Sequence, residues 1–431
     1  MSFYLFKDKN FRSSLFNLVF LRIVSRVLPL FMQGYILRSA GVLSFGGLGF
    51  AKSIGYCFTT IISYGGYYVV PKYIALLPQD ENYKKKIGCF FTSSIVIHLA
   101  GTFVCFLLYT ILIYLVPSIY AIKDFLLWFY VVSIASAMFP LGFFQGINKM
   151  YIVSILNPIT KAIIYISIPI LIHTPKDAII YPKIFAMAEV IRLIMAYIIL
   201  ICCFKIPIIR PKMSIITYQL KDGITNFFYD AYMLFYSHFP TIFLGVLVSR
   251  EAVATYQIGD RLAKIVLDVL TPFLQSLYPI MNKLFNENIN NGLVLAKKIL
   301  LANCCIILPF CIICFLFSSK IVFLLGGNTL SSEVFYKAVT VLKIHSFLPL
   351  LVVTSSIVGL QIITPLHMGR YYSIILFMSS ITAVVCHFLL VPQYSSIGAA
   401  YAIIIGEMNT FIGTIVILIY SLKRINYKRS S

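Results

Sequence analysis

The chain has 431 residues, of which 60% are hydrophobic and 11% charged, with a mean hydropathy of +0.93 and a formal net charge of +21. A water-soluble globule normally has nearly a quarter of its residues charged, so this composition excludes one and indicates an all-α integral membrane protein. In a soluble protein so basic a balance would suggest nucleic acid; here the basic residues must first be sorted by side of the membrane, and no nucleic-acid partner is expected.

Apolar runs recur from end to end, separated by loops rarely longer than about 15 residues, which leaves no room for a soluble domain of ordinary size. Twelve spans are predicted, at 12–36, 43–67, 87–116, 125–146, 151–173, 183–204, 223–248, 254–281, 299–325, 336–364, 372–391 and 398–421. No cleavable signal peptide is expected, because the apolar run after Lys7, Lys9 and Arg12 is broken by Arg22 and Arg26 and lacks a small-residue cleavage site. With both termini cytoplasmic, the inside segments carry 20 Lys and Arg and the outside loops 7, as the positive-inside rule requires. The basic, proline-containing stretch 205–222 reads as a cytoplasmic linker between two six-helix lobes, 1–204 and 223–431.

Eight basic residues and five acids fall inside the spans: Arg22, Arg26, Lys52, Lys161, Arg192, Arg261, Lys264, Lys343, Glu189, Asp230, Asp260, Asp268 and Glu407. At roughly 2.5 to 3.5 kcal/mol per lipid-facing charge, thirteen of them would cost roughly 30 to 45 kcal/mol. They must therefore face a cavity or one another.

In the first span Arg22 and Arg26 stand at i, i+4 on one face, with Pro29 and Gly34 beyond to allow bending. Two like charges on one face repel unless they share an anion, so an anion site is expected there. The glycine-rich second span permits close helix approach and carries Lys52 at its middle. Lys72 and Lys84 to Lys86 follow as a topology anchor and lipid-surface contact. Spans three to six read chiefly as scaffold. Glu189 and Arg192, spaced i, i+3, either neutralise each other or act in function.

Span seven gathers Asn226, Tyr229, Asp230, Tyr236 and Ser237 in an arc of about 120°. Hydroxyl and amide groups beside aromatic rings suit a sugar, and a packed helix interface suits them equally. His238 lies off that stripe and reads as structural. Span eight, ATYQIGDRLAKIVLDVLTPFLQSLYPIM, places Gln257, Asp260, Arg261, Lys264, Asp268, Thr271 and Gln275 within an arc of about 100°. The result is one wet stripe about 27 Å long, nearly the hydrocarbon thickness, beside which something aqueous must run. In span ten Lys343 and His345 sit near the outer third, where they can snorkel. Glu407 in span twelve is too deep for that.

Cys311 and Cys314 lie in an apolar run and are expected to pack rather than bind metal. There is no nucleotide-binding glycine loop and no spaced His/Cys set, so no cofactor, metal or enzymatic activity is expected.

The opening helix RIVSRVLPLFMQGYILRSAG, the glycine-rich FGGLGFAKSIG, FFQGINKM closing span four and YQIGDRLAKIVLDVLTPFLQSLYPIM resemble a Wzx-type oligosaccharide repeat-unit flippase. That group is the polysaccharide transporter branch of the multidrug/oligosaccharidyl-lipid/polysaccharide exporter superfamily. The resemblance implies twelve helices in two lobes around a central cationic cavity. It also implies movement of an undecaprenyl-pyrophosphate-linked oligosaccharide from the cytoplasmic to the periplasmic leaflet of the bacterial inner membrane, by alternating access, for O-antigen or capsule assembly. A polysaccharide polymerase and a chain-length regulator are the implied protein partners.

By similarity to lipid II flippases, Arg22 or Arg26, Lys52 and Arg261 take the phosphate-binding roles. Lysine at position 52 supplies a point charge without arginine's fork. Lys264, Gln257, Asn226, Tyr229 and Tyr236 complete the expected substrate surface. Asp230, Asp260, Asp268 and Glu407 are expected either to couple H+ or Na+ or to balance the bases. Two negative charges leaving a negative-inside cell gain roughly 4.6 kcal/mol per 100 mV. A multidrug and cation antiporter of the same fold should instead have an acidic aromatic cavity, and a non-transporting scaffold of a glycan assembly complex would need no continuous polar stripe.

Overall fold

A straight 55-residue helix would be about 80 Å long, well over twice the thickness of a bilayer core. The first helix, α1 (Lys9–Ser63), has that length and is broken at Gly41, where φ is 80° and ψ 166°. Glycine takes this conformation because it has no Cβ to clash. The break falls in the gap predicted between the first two spans. The computed structural model describes the backbone of residues 9–430 and the side chains of 28–423, except those at 229, 232, 233, 235, 236, 268, 269, 271, 272, 273 and 275.

After α1 come α2 (Gly66–Leu76), α3 (Tyr83–Leu115), α4 (Pro117–Tyr120), α5 (Lys123–Met138), α6 (Leu141–Gly146), α7 (Met150–Leu171) and α8 (Ile180–Ile198). They are followed by α9 (Met213–Leu247), α10 (Arg250–Glu287), α11 (Ile289–Leu316), α12 (Ser318–Gly326), α13 (Ser332–His345), α14 (Leu348–Val358) and α15 (Gly369–Ser430). No strand occurs among the described residues. α15 breaks at Ser395 (φ 53°, ψ −129°), between the last two predicted spans.

Six described stretches are long and apolar enough to cross a membrane; one of them, Ser332–Lys423, runs through three of the predicted spans. The protein is a multi-pass membrane protein of helices. α9 and α11 each begin ten residues before the spans predicted at 223 and 299. Hydropathy marks where lipid begins, whereas a helix continues into water as long as its backbone is satisfied. At α11 the Asn288 side chain caps the start by accepting from the Asn290 amide at 2.9 Å.

By its contacts the chain divides into two compact units, 39–253 and 1–38 with 254–431. This differs from the lobes 1–204 and 223–431, because α9 belongs with the first unit and the start of α1 with the second. Only part of the expected linker is extended, up to Lys212.

In unit 39–253 the extended segment lies against α3: Thr92 Oγ1 donates to Ile209 O at 2.5 Å, and a Cβ on Gly88 would meet Pro207 O at 2.1 Å. α9 is tied to α3 by Ser94 Oγ donating to Gln219 Oε1 at 3.0 Å and by Gln219 Nε2 donating to Phe90 O at 3.0 Å. Lys72 of α2 pairs with Asp222 of α9 at 2.7 Å. The core here contains Val70, Ile74, Phe90, Phe91, Phe143, Phe144 and Leu156.

In unit 1–38 with 254–431, Arg38, just before the break in α1, donates through Nε to Leu325 O at 3.2 Å and also to Leu324 O, satisfying carbonyls at the end of α12. Gly259 of α10 packs so closely on α13 that a Cβ would meet Val341 at 2.6 Å. Cys311 joins Leu274, Ile307, Val353 and Ile357 in a core cluster, which is the packing role expected of it.

Candidate functional site

In unit 39–253, Gly55 lets α5 approach α1: Ser133 Oγ donates to Gly55 O at 2.7 Å. Beside this contact α1, α5 and α8 enclose a cavity of about 110 Å³, lined by Lys52, Tyr56, Thr59, Ser136, Phe185 and Glu189 among others. The Lys52 ammonium lies 5.3 Å from the Phe185 ring centroid, within cation–π range.

Glu189 brings a carboxylate to the same cavity, accepting from Ser136 Oγ at 3.4 Å and forming an ion pair with Arg192. Arg192 also donates to Asn157 Oδ1 at 2.8 Å and stacks 4.2 Å over Phe139. Of the two readings left open for Glu189 and Arg192, mutual neutralisation is what the geometry builds. The two side chains pair inside a helix interface, with Arg192 Nε left without a hydrogen-bond partner among the described residues, and Glu189 stands beside Lys52.

On α9, Asp230 shares a side-chain hydrogen bond with Tyr68 of α2. Asn226 Nδ2 turns onto its own helix, donating to Asp222 O at 3.4 Å. His238 contacts Ser53 Oγ at 3.4 Å and stacks near Tyr56, with ring centroids 4.5 Å apart, in keeping with a structural role. In the basic loop outside the membrane, Lys86 lies 2.6 Å from Asp80 and holds that carboxyl below the usual carboxylate range.

The α10 stripe belongs to the second unit. Gln257 and Arg261 are partly buried, and the Lys264 side chain is 37% exposed. Arg261 Nε is buried without a hydrogen-bond partner among the described residues. Asp260 departs from the wet stripe expected along the whole helix: it is only 4% exposed, with Oδ2 2.5 Å from Lys264 Nζ and Oδ1 2.9 Å from His345 Nδ1. The snorkelling expected of His345 alongside Lys343 is also corrected. Lys343 is exposed, 5.8 Å over Phe315, whereas the His345 ring is wholly buried between α10 and α15. A one-residue change of phase on a helix turns a side chain by about 100°, so two neighbours only two apart face nearly opposite ways.

Glu407 is buried on α15 beside Gly406, where a Cβ would meet Ala383 at 2.8 Å. Arg22, Arg26, Tyr229, Tyr236 and Asp268 lie outside the described side chains, as do Thr271 and Gln275 of the stripe. Among the described residues no group of three His, Cys, Asp or Glu is arranged to hold a metal ion. Sequence reasoning did not find the Asp260–His345 contact; the two residues are 85 positions apart, and no periodicity links them.

Residues 12–285 match a family model described as Polysaccharide biosynthesis protein. The chain belongs to that family. The matched region includes Lys52, Glu189 and the Asp260–Lys264 part of α10. Over 395 residues the chain is 24% identical to a protein of Escherichia coli (strain K12) that carries the provisional name O-antigen transporter; the match covers 91% of this chain and 93% of that protein.

Among solved structures, an inward-facing multidrug resistance MATE family transporter of the MOP superfamily aligns with a TM-score of 0.70 at 14% identity, covering 94% of this chain and 96% of that one. Lipid II flippase MurJ in an inward closed conformation aligns with a TM-score of 0.67 at 15% identity, covering 94% and 87%. This polysaccharide biosynthesis family member thus has the helical fold of MOP superfamily transporters. Its relatives are transporters and flippases rather than enzymes.

Proposed function

We propose that the protein is a flippase that carries an undecaprenyl-pyrophosphate-linked oligosaccharide repeat unit from the cytoplasmic to the periplasmic leaflet of a bacterial inner membrane, for O-antigen or capsule assembly. The observation that carries this reading is the family match, which spans the in-membrane bases of α1 and α10. Arg22, Arg26, Lys52, Arg261 and Lys264 hold the pyrophosphate, since in-membrane bases that outnumber in-membrane acids favour an anion. Asn226, Tyr229, Tyr236 and Gln257 face the sugars, with rings that stack and edges that hydrogen-bond. Alternating access moves the headgroup past the bilayer centre, with both termini cytoplasmic. The MOP fold by itself is shared with multidrug transporters, so the fold does not separate the two classes; the basic balance and the family match favour the lipid-linked glycan.

Depleting the protein from cells is expected to remove surface glycan and to leave the lipid-linked repeat unit accumulating in the leaflet facing the cytoplasm. Unchanged glycan together with new sensitivity to cationic drugs would move the protein to the antiporter class.

The orientation and the pathway share a second test in a cysteine-free variant. Single cysteines at 257, 264, 271 and 275 are expected to react with small aqueous thiol reagents, and those at 262, 266 and 269 to stay unmodified. Cysteines placed in the loops holding Lys84 and Lys212 should resist impermeant reagents in intact cells. Equal reactivity around α10 rejects the pathway, and ready labelling of either loop overturns the orientation.

A further inference from the structure

In unit 39–253 the cavity between α1, α5 and α8 has a lining whose hydrogen-bonding roles can be assigned atom by atom. Thr59 Oγ1 donates to Gly55 O at 3.1 Å, and Ser136 Oγ donates to Glu189 Oε2 at 3.4 Å. A hydroxyl has one proton, so both groups have only lone pairs left for the cavity. Glu189 is 8% exposed; Ser136 and Arg192 both meet its Oε2, and no described residue bonds Oε1, which leaves that oxygen able to accept. Against these three acceptors stands one cationic donor, the Lys52 ammonium. Phe129 and Phe185, with ring centroids 6.3 Å apart, add an apolar wall.

This lining discriminates between classes of ligand. An ionised phosphate carries acceptors only, so inside the cavity it would face two hydroxyl oxygens with no proton to give and a carboxylate of its own sign. An organic cation would suit the acceptors, but it would enter beside two bases, Lys52 and Arg192, and a single acid. A hydroxyl group is neutral and both donates and accepts. A ring bearing several hydroxyls can donate to Thr59, Ser136 and Glu189, accept from Lys52 and lay a C–H face on the phenylalanine wall. The volume of about 110 Å³ is several times what one water needs and has room for a single ring.

We propose that this cavity is a subsite for one neutral sugar ring, read by the acceptors of Thr59, Ser136 and Glu189 and by the Lys52 donor. Glu189 then works through both oxygens, with Oε2 holding Arg192 and Oε1 meeting the ring. Lysine has three donors, so an ammonium that meets a pyrophosphate at the edge of the cavity can also meet a hydroxyl inside it. That the ring belongs to the transported headgroup rests on the flippase reading above; that the cavity selects a polyhydroxylated ring over an anion or a cation does not.

The test is ligand protection of a single cysteine in the full-length, otherwise cysteine-free protein, purified in a detergent without a sugar headgroup. Thr59→Cys, and separately Ser136→Cys, are treated with a small aqueous thiol reagent in the presence of a panel of neutral methyl pyranosides, inorganic pyrophosphate or tetramethylammonium. The expected result is a saturable, several-fold slowing by at least one pyranoside that neither ion matches. Adding Phe185→Leu to either variant should weaken that protection and leave labelling without sugar unchanged, an outcome that a merely structural ring would not give. Absence of protection by every pyranoside overturns the proposal, and so does equal protection by either ion. Failure of the reagent to reach both positions removes the cavity and the proposal with it. No protection in a protein whose depletion still abolishes surface glycan removes the subsite and keeps the flippase. Clear protection without a glycan phenotype does the reverse.

Discussion

Replacing Arg261 with Ala is expected to abolish surface glycan while leaving the protein folded in the membrane, and Arg26→Ala is expected to do the same. Arg261 sits on α10 with Nε buried and without a partner among the described residues, a condition that costs about 1–3 kcal/mol if nothing ever satisfies it. The pyrophosphate proposed above would supply the missing acceptor. Hydrogen bonds to charged groups are worth about 1.5–3 kcal/mol each, so losing a bidentate clamp corresponds to a fall in export of roughly 100-fold or more.

Lysine at either position keeps the charge and loses the planar fork, so Arg261→Lys should restore only part of the activity. Export must be normalised to folded protein in the membrane, since a structural arginine would lose abundance and activity together. Full export by well-expressed Arg26→Ala and Arg261→Ala variants would remove the anion site and leave the flippase reading resting on family membership.

The second large effect is expected at Glu189, and it should appear in abundance rather than in transport alone. Glu189 and Arg192 have side chains only 11% and 14% exposed, and Arg192 is further held by Asn157 and by the face of Phe139. Glu189→Ala strands a buried guanidinium, a change that costs about 3–5 kcal/mol in comparable pairs. Folded protein recovered from membranes should therefore fall steeply. Replacing both residues by leucine removes the stranded charge and should recover much of the lost abundance. If Glu189→Ala were as abundant as wild type, the pair would be carrying no structural load, and Glu189 would have to be counted with Lys52 as part of the cavity's working surface.

The Lys52 cavity shows how unevenly the site could be read in advance. Lysine in the middle of a glycine-rich apolar span is conspicuous in one dimension, because a charge at that depth has no other excuse. Its company is not: Phe185 and Glu189 lie more than 130 residues away on α8, and only the packing of α8 beside α1 and α5 brings them to Lys52. Span eight shows the opposite limit. Helical periodicity placed seven polar side chains on one arc, yet Asp260 within that arc is sealed against His345 and Lys264 while Lys264 is half-exposed. An arc specifies a direction from the helix axis, and whether water or another helix lies in that direction depends on what packs there.

Membrane character and helical class were determined by the sequence alone, because the bilayer requires every spanning backbone to satisfy its own hydrogen bonds and every exposed side chain to be apolar. Those requirements act residue by residue along the chain and leave a linear record, down to the breaks at Gly41 and Ser395 between predicted spans. Only the tertiary structure decided which charges meet. The Asp260–His345 contact, the seating of α9 in the unit of residues 39–253 and the Arg38 contact with the end of α12 depend on the rotation and offset of helices far apart in sequence. Close packing of unlike side chains sets that rotation, and hydropathy carries no term for it.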